Sequence, residues 1–287
     1  MDTTTLEQYI ASTSTVSLDT SIENYPVFII QNSSCSAKIA LHGAHLYEWT
    51  PTGQSPVIYT SPTAIFQEGK AIRGGVPVCW PWFNAHPTDS SKPSHGFVRN
   101  RFWTLTSASE SEESTTLTFT VSSENEYVAT VTITVGAQAT VQITSENTGS
   151  EPLTIGGALH TYLCVSNIAD VSISGLENTN YIDTVGTEAL REQQGEITIS
   201  EEVDRIYIDT SSDILLRDAT RTLRVERSGS QSAVVWNPWI EKAKGLGDLP
   251  DEAYHDFVCI EAANARDDIY EVLPGESHTL ATTISVA

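Results

Sequence analysis

The sequence predicts an all-β protein, a large antiparallel β-sandwich. Apolar and polar residues alternate with a period of two in eleven segments rich in Thr, Val and Ile, and most of these segments end at Gly, Asn, Pro, Asp or Ser. Convincing helical periods are few, and many short strands with turn signals and almost no helices are typical of sandwiches and barrels. The segments are 26–32, 36–42, 115–123, 126–135, 140–147, 170–176, 205–210, 222–228, 232–237, 256–262 and 278–286.

Two segments have a weak helical pattern. Residues 188–194 (EALREQQ) and 249–257 (LPDEAYHDF) are predicted to be short helical or turn segments. No linker, charge block or change of composition divides the chain, so residues 1–287 are predicted to form a single domain, with residues 1–15 frayed.

The amino-acid composition limits the kinds of molecule that the protein is expected to bind. The chain has 287 residues, of which 39% are hydrophobic and 18% charged, and its formal net charge is −22. A field this negative repels duplex nucleic acid and anionic membranes, so neither is expected as a main partner. A phosphorylated small molecule is still compatible, because a few arginines in a cleft reverse the potential locally.

The location is predicted to be cytoplasmic. The amino terminus lacks the basic and apolar regions of a secretory signal, and no apolar run approaches the roughly 18 residues of a membrane span. Four cysteines at positions 35, 79, 164 and 259 show no CxxC spacing. This pattern suits reduced, mostly buried thiols better than a disulfide framework or a zinc site.

One stretch stands out from the Ser- and Thr-rich remainder. Residues 73–103 (RGGVPVCWPWFNAHPTDSSKPSHGFVRNRFW) combine glycines and prolines with three tryptophans, two histidines and three arginines. Glycine and proline fix irregular backbone, so this is predicted to be a shaped loop region. Cations beside aromatic rings suit a polar, anionic ligand with a flat face.

Arginines and tryptophans in this region have two interpretations each. Arg73, Arg99 and Arg101 are three of only 15 cations, and the planar guanidinium suits phosphate oxygens. Alternatively, each arginine covers a carboxylate on an acidic surface. Tryptophans either stack on a sugar or pack in the core. The tryptophans concerned are Trp80, Trp82 and Trp103 in this stretch and, further along the chain, Trp236 and Trp239.

Three residues are candidates for proton transfer. His95 precedes a glycine, His160 lies in an apolar strand, and Glu261 lies within the hydrophobic FVCIEAAN segment. A buried carboxylate needs a partner or its pKa rises, and a carboxyl group facing a histidine is a general acid/base pair. Sequence alone does not establish that Glu261 and His160 face each other, so structural roles stay open for both.

A metal site is not predicted. On a strand His42 and His45 would point to opposite faces, which is poor ligand geometry. The sequence also lacks the GxSxG, P-loop and GxGxxG patterns of acyl hydrolases, nucleoside triphosphatases and dinucleotide enzymes.

Six segments together resemble the hexose-6-phosphate mutarotase (glucose-6-phosphate 1-epimerase) branch of the aldose 1-epimerase superfamily. They occur in the family's order and span nearly the whole chain. The resemblance implies a galactose mutarotase-like β-sandwich. The segments are IRGGVPVCWPWF at 72–83, SHGFVRNRFW at 94–103, LHTYL at 159–163, EVDRIY at 202–207, VVWNPWIEKAKGLGD at 234–248 and VCIEAAN at 258–264.

The resemblance also implies an activity. It is the interconversion of the α and β anomers of a hexose 6-phosphate, D-glucose 6-phosphate above all, by a monomer without metal, nucleotide or redox cofactor. The alternatives are a mutarotase of non-phosphorylated aldoses and a non-catalytic carbohydrate-binding sandwich. The implied roles are general base for Glu261, general acid for His160, ring-oxygen and anomeric-hydroxyl contact for His95, sugar-hydroxyl contact for Asp204, phosphate binding for Arg73 and Arg99, and a ligand contact for Ser94 despite its short side chain.

Overall fold

A computed structural model describes residues 3–287, and antiparallel strands dominate it. The strands are β1 (Val16–Asp19), β2 (Val27–Gln31), β3 (Cys35–Ala40), β4 (His45–Pro51), β5 (Val78–Cys79), β6 (Thr104–Glu110), β7 (Thr115–Ser123), β8 (Tyr127–Val135), β9 (Gln138–Asn147), β10 (Leu153–Ile155), β11 (Gly157–Leu159), β12 (Tyr162–Cys164), β13 (Ser172–Ser174), β14 (Asn180–Asp183), β15 (Ala189–Glu192), β16 (Val203–Tyr207), β17 (Ile214–Arg217), β18 (Thr222–Ser228), β19 (Ser232–Asn237), β20 (Phe257–Asn264), β21 (Tyr270–Val272) and β22 (Ser277–Val286).

Two eight-stranded antiparallel sheets pack against each other. The first, called the β20 sheet, has the order β15-β14-β16-β19-β20-β11-β5, with β12 also paired to β20. The second, the β22 sheet, has the order β13-β17-β18-β22-β9-β8-β7-β6. Strand β20 contacts β18 and β22 of the second sheet. A four-stranded sheet (β1 to β4) and the β10–β21 pair complete the strands of the described chain, and the predicted all-β sandwich is confirmed.

All eleven alternating segments overlap a strand, and three of them, 115–123, 222–228 and 232–237, match their strands at both ends. The strands that the alternation did not reveal are mostly short. The predicted helical or turn segment at 249–257 contains a turn of 3₁₀ helix, and this prediction is confirmed. The single-domain interpretation of the chain stays a prediction.

The prediction for residues 188–194 is wrong in one respect. These residues contain strand β15, not a helical or turn segment. β15 is an exposed edge strand that pairs on one side with β14. Backbone pairing to an existing sheet outweighs the helix preference of Glu, Ala, Leu and Arg in so short a segment.

The expectation that residues 1–15 are frayed is wrong for residues 3–15; residues 1 and 2 lie outside the described part of the chain. Helix α1 (Thr3–Ile10) buries Leu6 and Ile10, which are four residues apart and share one helix face. Beyond the helix, the backbone N–H groups of Ser14 and Thr15 donate to the Glu110 carboxylate. Apolar burial and these hydrogen bonds hold the segment on the sandwich.

The remaining helical elements are short. They are α2 (Trp239–Lys244) and the 3₁₀ turns Val98–Asn100, Ile168–Asp170, Ala253–His255 and Arg266–Asp268. Within residues 3–287, no helix combines the length and apolar character needed to cross a membrane.

The buried hydrophobic residues form one large cluster and one small cluster, and strands β19 and β20, which carry or adjoin the site residues, belong to the large one. Every residue of β19 and β20 is buried. Glu261 lies in the middle of β20, opposite Val234 of β19. Asp204 of β16 is opposite Trp236 of β19. The antiparallel order of these strands thus brings polar side chains from distant parts of the sequence to one region of the β20 sheet.

Candidate active site

A cavity of about 460 Å³ lies over the β20 sheet. Its lining contains nine His, Lys, Arg, Asp and Glu side chains that come from strands, loops and helix α2. Six of the seven predicted site residues line it. The nine side chains are those of Lys70, Arg73, His95, Arg99, His160, Asp204, Lys242, Asp248 and Glu261.

His160 and Glu261 face each other across the floor of the cavity. The distance between His160 Nε2 and Glu261 Oε1 is 3.4 Å. The chain is irregular at residues 160–161, between β11 and β12, and both of these short strands pair with β20. The interruption brings the imidazole beside the carboxyl group of the neighbouring strand.

The pair is buried but incompletely hydrogen-bonded. Glu261 is 1% exposed, and its Oε2 atom has no hydrogen-bond partner among residues 3–287. The Nδ1 atom of His160 is likewise buried without a partner in this part of the chain. Buried polar atoms are nearly always paired in native proteins. A polar ligand in the cavity would satisfy Oε2.

Burial shifts both groups towards their neutral forms. It raises the pKa of Glu261 well above the usual range of a carboxyl group, and the Asp204 carboxylate raises it further, while Arg99 opposes the shift. Burial lowers the pKa of His160 well below its ordinary value, and His95, Arg99 and Arg73 lower it further. Both shifts favour a carboxylic acid beside a neutral imidazole, and such a pair carries one transferable proton.

The raised pKa of Glu261 makes folding stability depend on pH. Above its ordinary carboxyl pKa the unfolded chain releases the Glu261 proton while the folded chain keeps it, so stability falls as pH rises. Glu261→Gln removes this loss. We expect the variant to become more stable relative to the wild type as the pH rises from 5 to 8. The difference between their free energies of unfolding should grow by up to about 1.4 kcal/mol per pH unit.

Urea unfolding of both proteins at several pH values measures this difference. A constant difference across the range would mean that folded Glu261 ionises like an exposed carboxyl group.

His95 contributes a neutral hydrogen-bond donor. Its Nδ1 atom accepts a hydrogen bond from the backbone N–H of Asn84 at 3.3 Å, so Nε2 carries the proton. Burial, with Arg99 and Arg73 nearby, lowers the pKa of His95 to about 3. The His95 and His160 ring centroids are 6.1 Å apart. A donor at this place can hold an oxygen of a ligand bound at the His160–Glu261 pair.

Asp204 is a half-buried acceptor held by a cation. Lys242 Nζ lies 3.6 Å from Asp204 Oδ2 and 2.8 Å from Glu202 Oε1. Burial raises the pKa of Asp204, and Lys242 opposes that shift. The carboxylate can accept hydrogen bonds from ligand hydroxyl groups.

Arg73 and Arg99 enter the cavity from the stretch 73–103. Arg73 donates from Nε to Asp248 Oδ1 at 3.0 Å and from Nη1 to the Tyr162 hydroxyl at 3.1 Å. Arg99 donates from Nη2 to the Ser94 carbonyl oxygen at 3.1 Å, while its buried Nε has no partner among the described residues. The carboxylate-covering interpretation thus has an observed basis for Arg73, whose Nη2 atom makes no hydrogen bond or ion pair with residues 3–287.

Ser94 and Arg101 contribute less than the other predicted residues. Ser94 is exposed and does not line the cavity, so its contact with the site is the carbonyl oxygen bound by Arg99. Arg101 lies over the Phe97 ring, 5.4 Å from the centroid, and no carboxylate of residues 3–287 is within 4.0 Å of it. A ligand contact of the Ser94 side chain stays a prediction.

A turn of two glycines positions Arg73. Gly75 has φ +72°, and a Cβ there would lie 2.6 Å from the Leu46 carbonyl oxygen and against the buried His45 ring. The Nε2–H group of His45 donates to the Gly74 carbonyl oxygen at 2.9 Å. The turn that follows Arg73 therefore packs directly against His45 and Leu46, and no residue larger than glycine fits at position 75.

Gly75→Ala is expected to destabilise the protein more than a matched glycine variant. Gly53 has a similar φ of +78° but open space around its Cα. Gly53→Ala should cost only the left-handed backbone, about 1 kcal/mol, whereas Gly75→Ala adds a steric clash worth roughly 1–3 kcal/mol. Urea unfolding of both variants measures the difference, and equal losses would contradict the close packing at Gly75.

The tryptophans divide between the two interpretations. Trp80 and Trp103 are 2% exposed, and their indole N–H groups donate to Ser145 Oγ and the Val98 carbonyl oxygen. Both are packing residues. Trp236 lines the cavity with its ring edge-on to His160, at a centroid distance of 5.7 Å. Trp82 and Trp239 are half-buried and lie outside the cavity lining.

Sequence reasoning gave no role to several cavity residues, among them Lys70, Tyr162, Lys242 and Asp248. Tyr162 follows His160 by two positions, the spacing of residues on one strand face, so alternation could have revealed it. Lys242 and Asp248 act through ion pairs with residues far away in sequence, and no local pattern signals such pairs. Within residues 3–287, no three His, Cys, Asp or Glu side chains are grouped closely enough to hold a metal ion.

Comparison with known proteins places the chain among sugar epimerases. Residues 26–285 match the family model of aldose 1-epimerases. A protein of Escherichia coli K12 provisionally named glucose-6-phosphate 1-epimerase is 34% identical over 275 residues, which cover 93% of this chain and 92% of the relative. A protein of Cenchrus ciliaris with the same provisional name is 32% identical over 264 residues, covering 85% and 79%.

The fold has a close counterpart among solved structures. A crystal structure from Salmonella typhimurium, provisionally described as a mutarotase, superposes with a TM-score of 0.88. It is 30% identical in sequence, and the alignment covers 99% of both chains.

Proposed function

The chain belongs to the aldose 1-epimerase family, and we propose that it interconverts the α and β anomers of a hexose 6-phosphate, with D-glucose 6-phosphate as the main substrate. The observation that carries this proposal is the His160–Glu261 pair, 3.4 Å apart on the floor of a cavity that holds four of the chain's 15 cations.

The spacing of the pair suits the chemistry. Anomer exchange moves a proton off the C1 hydroxyl and a proton onto the ring oxygen, and both oxygens are bonded to the same carbon. The acid and the base must therefore lie within a few ångströms of each other. His160 Nε2 and Glu261 Oε1 meet this requirement, and Glu261 Oε2 is free to face the anomeric hydroxyl.

The reaction proceeds by ring opening. Glu261 takes the proton of the C1 hydroxyl, C1 and its hydroxyl oxygen form the carbonyl, the C1–O5 bond breaks, and O5 takes a proton from His160. Rotation about the C1–C2 bond turns the other carbonyl face towards O5. The two proton transfers then run in reverse and close the opposite anomer. His95 donates from Nε2 to the anomeric or ring oxygen.

One proton serves the whole cycle. When the closed sugar reacts, Glu261 is ionised and His160 is protonated. Once the open aldehyde has formed, Glu261 is protonated and His160 is neutral. Burial favours the second, uncharged state. Ring opening therefore starts from the less favoured ionised pair, and its two proton transfers return the site to the protonation state that burial favours.

The charge of the cavity supports an anionic substrate. Its lining has the cations Lys70, Arg73, Arg99 and Lys242 against the carboxyl groups Asp204, Asp248 and Glu261, and burial raises the pKa of the last one, which disfavours its negative charge. On a chain with a net charge of −22, this local excess of positive charge attracts a phosphate dianion. We propose that Arg73 and Arg99 bind the phosphate and that Asp204 accepts hydrogen bonds from sugar hydroxyls.

One observation favours a mutarotase of non-phosphorylated aldoses as the second candidate. Arg73 already pairs with Asp248 at 3.0 Å, and this neutralises part of its charge. Such an enzyme would use the same His160–Glu261 pair and would not need the arginines.

A coupled assay separates the candidates. Formation of the β anomer from freshly dissolved α-glucose 6-phosphate is followed with a β-specific dehydrogenase, beside matched assays of free glucose and galactose. We expect kcat/KM to be at least about tenfold higher for the phosphorylated sugar, the factor that one retained charged contact supplies. Equal or higher values for free aldoses would favour the second candidate, and binding without turnover would favour a carbohydrate-binding protein.

We further propose that the enzyme is a cytoplasmic monomer whose partner is the small phosphosugar, with no nucleic acid or membrane partner. Support comes from four free cysteines, three of them buried, and from the acidic charge. Sedimentation analysis tests the monomer.

A further inference from the structure

We propose that Tyr162 is a third ligand of the substrate's phosphate group, beside Arg73, and that its ring fixes the plane of the His160 imidazole. The inference rests on the proposed function and names a specificity-determining residue for the same site. The Tyr162 side chain would then have two roles: its hydroxyl group would bind the phosphate, and its ring would orient the imidazole that transfers the proton.

The hydroxyl group of Tyr162 has an unused donor. Its oxygen accepts a hydrogen bond from Arg73 Nη1 at 3.1 Å, and Arg73 is its only hydrogen-bond partner among residues 3–287. A phenol has one O–H donor in addition to its acceptor sites. Because Tyr162 lines the cavity, that donor is available to an oxygen of the ligand. A phosphate oxygen next to Arg73 would take it.

The ring of Tyr162 lies flat against the imidazole. The ring centroids of His160 and Tyr162 are 4.9 Å apart, with 15° between the planes. Trp236 meets both rings edge-on, at 5.7 Å and 5.9 Å. The imidazole plane is therefore set by two aromatic neighbours, and this direction keeps Nε2 towards Glu261.

The backbone ties Tyr162 to the turn beside Arg73. Its N–H group donates to the Gly75 carbonyl oxygen at 2.9 Å, and its carbonyl oxygen accepts from the Tyr59 N–H group at 3.0 Å. Tyr162 is 2% exposed, so neither its ring nor its hydroxyl group has an alternative position in solvent. The donor is thus already placed before a ligand binds.

Tyr162→Phe tests the hydroxyl group, because phenylalanine keeps the ring. We expect KM for glucose 6-phosphate to rise by about tenfold or more, the loss of one hydrogen bond to a charged group, with kcat within about twofold. The inhibition constant of inorganic phosphate should rise by the same factor. An unchanged KM, or a fall in kcat alone, would overturn the phosphate contact.

Tyr59→Phe is the matched control. Tyr59 is also buried, its ring stacks on Phe257 at 4.8 Å, and its hydroxyl group has no partner among residues 3–287 and does not line the cavity. This variant should keep the wild-type KM. A rise in KM equal to that of Tyr162→Phe would show a general packing effect and overturn the assignment.

Tyr162→Leu tests the ring. We expect kcat to fall by about tenfold or more and the pH profile of kcat to shift, because the imidazole loses its stacked neighbour. Tyr162→Phe should restore both. Wild-type kcat and pH profile in Tyr162→Leu would overturn the positioning role.

The proposed function is tested separately from this inference. If the wild-type enzyme does not turn over hexose 6-phosphates, the proposed function fails, and calorimetric titration with inorganic phosphate still decides the role of the hydroxyl group. Weaker phosphate binding by Tyr162→Phe than by the wild type supports it. Equal binding overturns it.

Discussion

Glu261→Gln is expected to lower kcat for anomer exchange by about a thousandfold, within the range that positioned general acid–base catalysis contributes. Glutamine has nearly the shape of glutamate but cannot take a proton from the C1 hydroxyl. The residue is 1% exposed within β20, so the isosteric change leaves packing in place. The coupled assay measures the loss, and near-ultraviolet circular dichroism checks the fold.

Glu226→Gln on β18 is the control, because it makes the same chemical change on the other sheet. It should keep wild-type kcat. Wild-type turnover by Glu261→Gln would remove the proposed base from the reaction.

His160→Ala should cost about as much as Glu261→Gln, and the double variant should cost hardly more than either one. The proposed ring opening needs a proton transfer at each partner, so removing one partner disables the other. Losses that multiply in the double variant would instead indicate two independent contributions. Such a result would contradict the shared-proton account of the 3.4 Å pair.

Arg73→Ala and Arg99→Ala are each expected to raise KM for glucose 6-phosphate by about ten- to a hundredfold, as for the loss of a charge-assisted contact. Their effect on free glucose should be within about threefold, since we propose that the guanidinium groups bind the phosphate and not the sugar ring. Steady-state kinetics on both sugars measure the ratio.

Arg101→Ala controls for the loss of positive charge. Arg101 lies in the same stretch but outside the cavity, over the Phe97 ring. Its removal should leave both KM values unchanged. If Arg73→Ala does not alter turnover of glucose 6-phosphate, the substrate is not a sugar phosphate bound at this arginine, and the alternative with free aldoses gains support.

Asp248 adds a second comparison at Arg73. Arg73→Ala leaves this carboxylate without its partner, whereas Arg73→Ala combined with Asp248→Asn removes both charges. A raised KM for glucose 6-phosphate in both backgrounds shows that the effect comes from the lost cation.

Most of the fold could be predicted because sheet formation leaves a local signal. In β8 and β9, buried and partly exposed residues alternate almost without interruption, and the sequence carries the same alternation. Helix α1 left only two apolar residues, Leu6 and Ile10, as a signal of burial. β15 is an exposed edge, where pairing to β14 decides the structure and the side chains do not.

The types of residue in the site could be predicted from the sequence, but their arrangement in space could not. Glu261 stood out as a carboxyl group within an apolar strand, and burial is what perturbs its pKa. The approach of His160 depends on a break between β11 and β12, and no sequence pattern signals that break. The pairing of Arg73 with Asp248 joins residues 175 positions apart, so only the folded chain reveals it.

Exchange spectroscopy on glucose 6-phosphate labelled with ¹³C at C1 tests the central claim most directly, because it measures interconversion of the two anomers at equilibrium. We predict that the rate of exchange between the α and β signals rises in proportion to the concentration of wild-type enzyme. With Glu261→Gln, the rate should stay at its uncatalysed value. Exchange that the wild-type enzyme does not accelerate, or that Glu261→Gln accelerates equally, would contradict it.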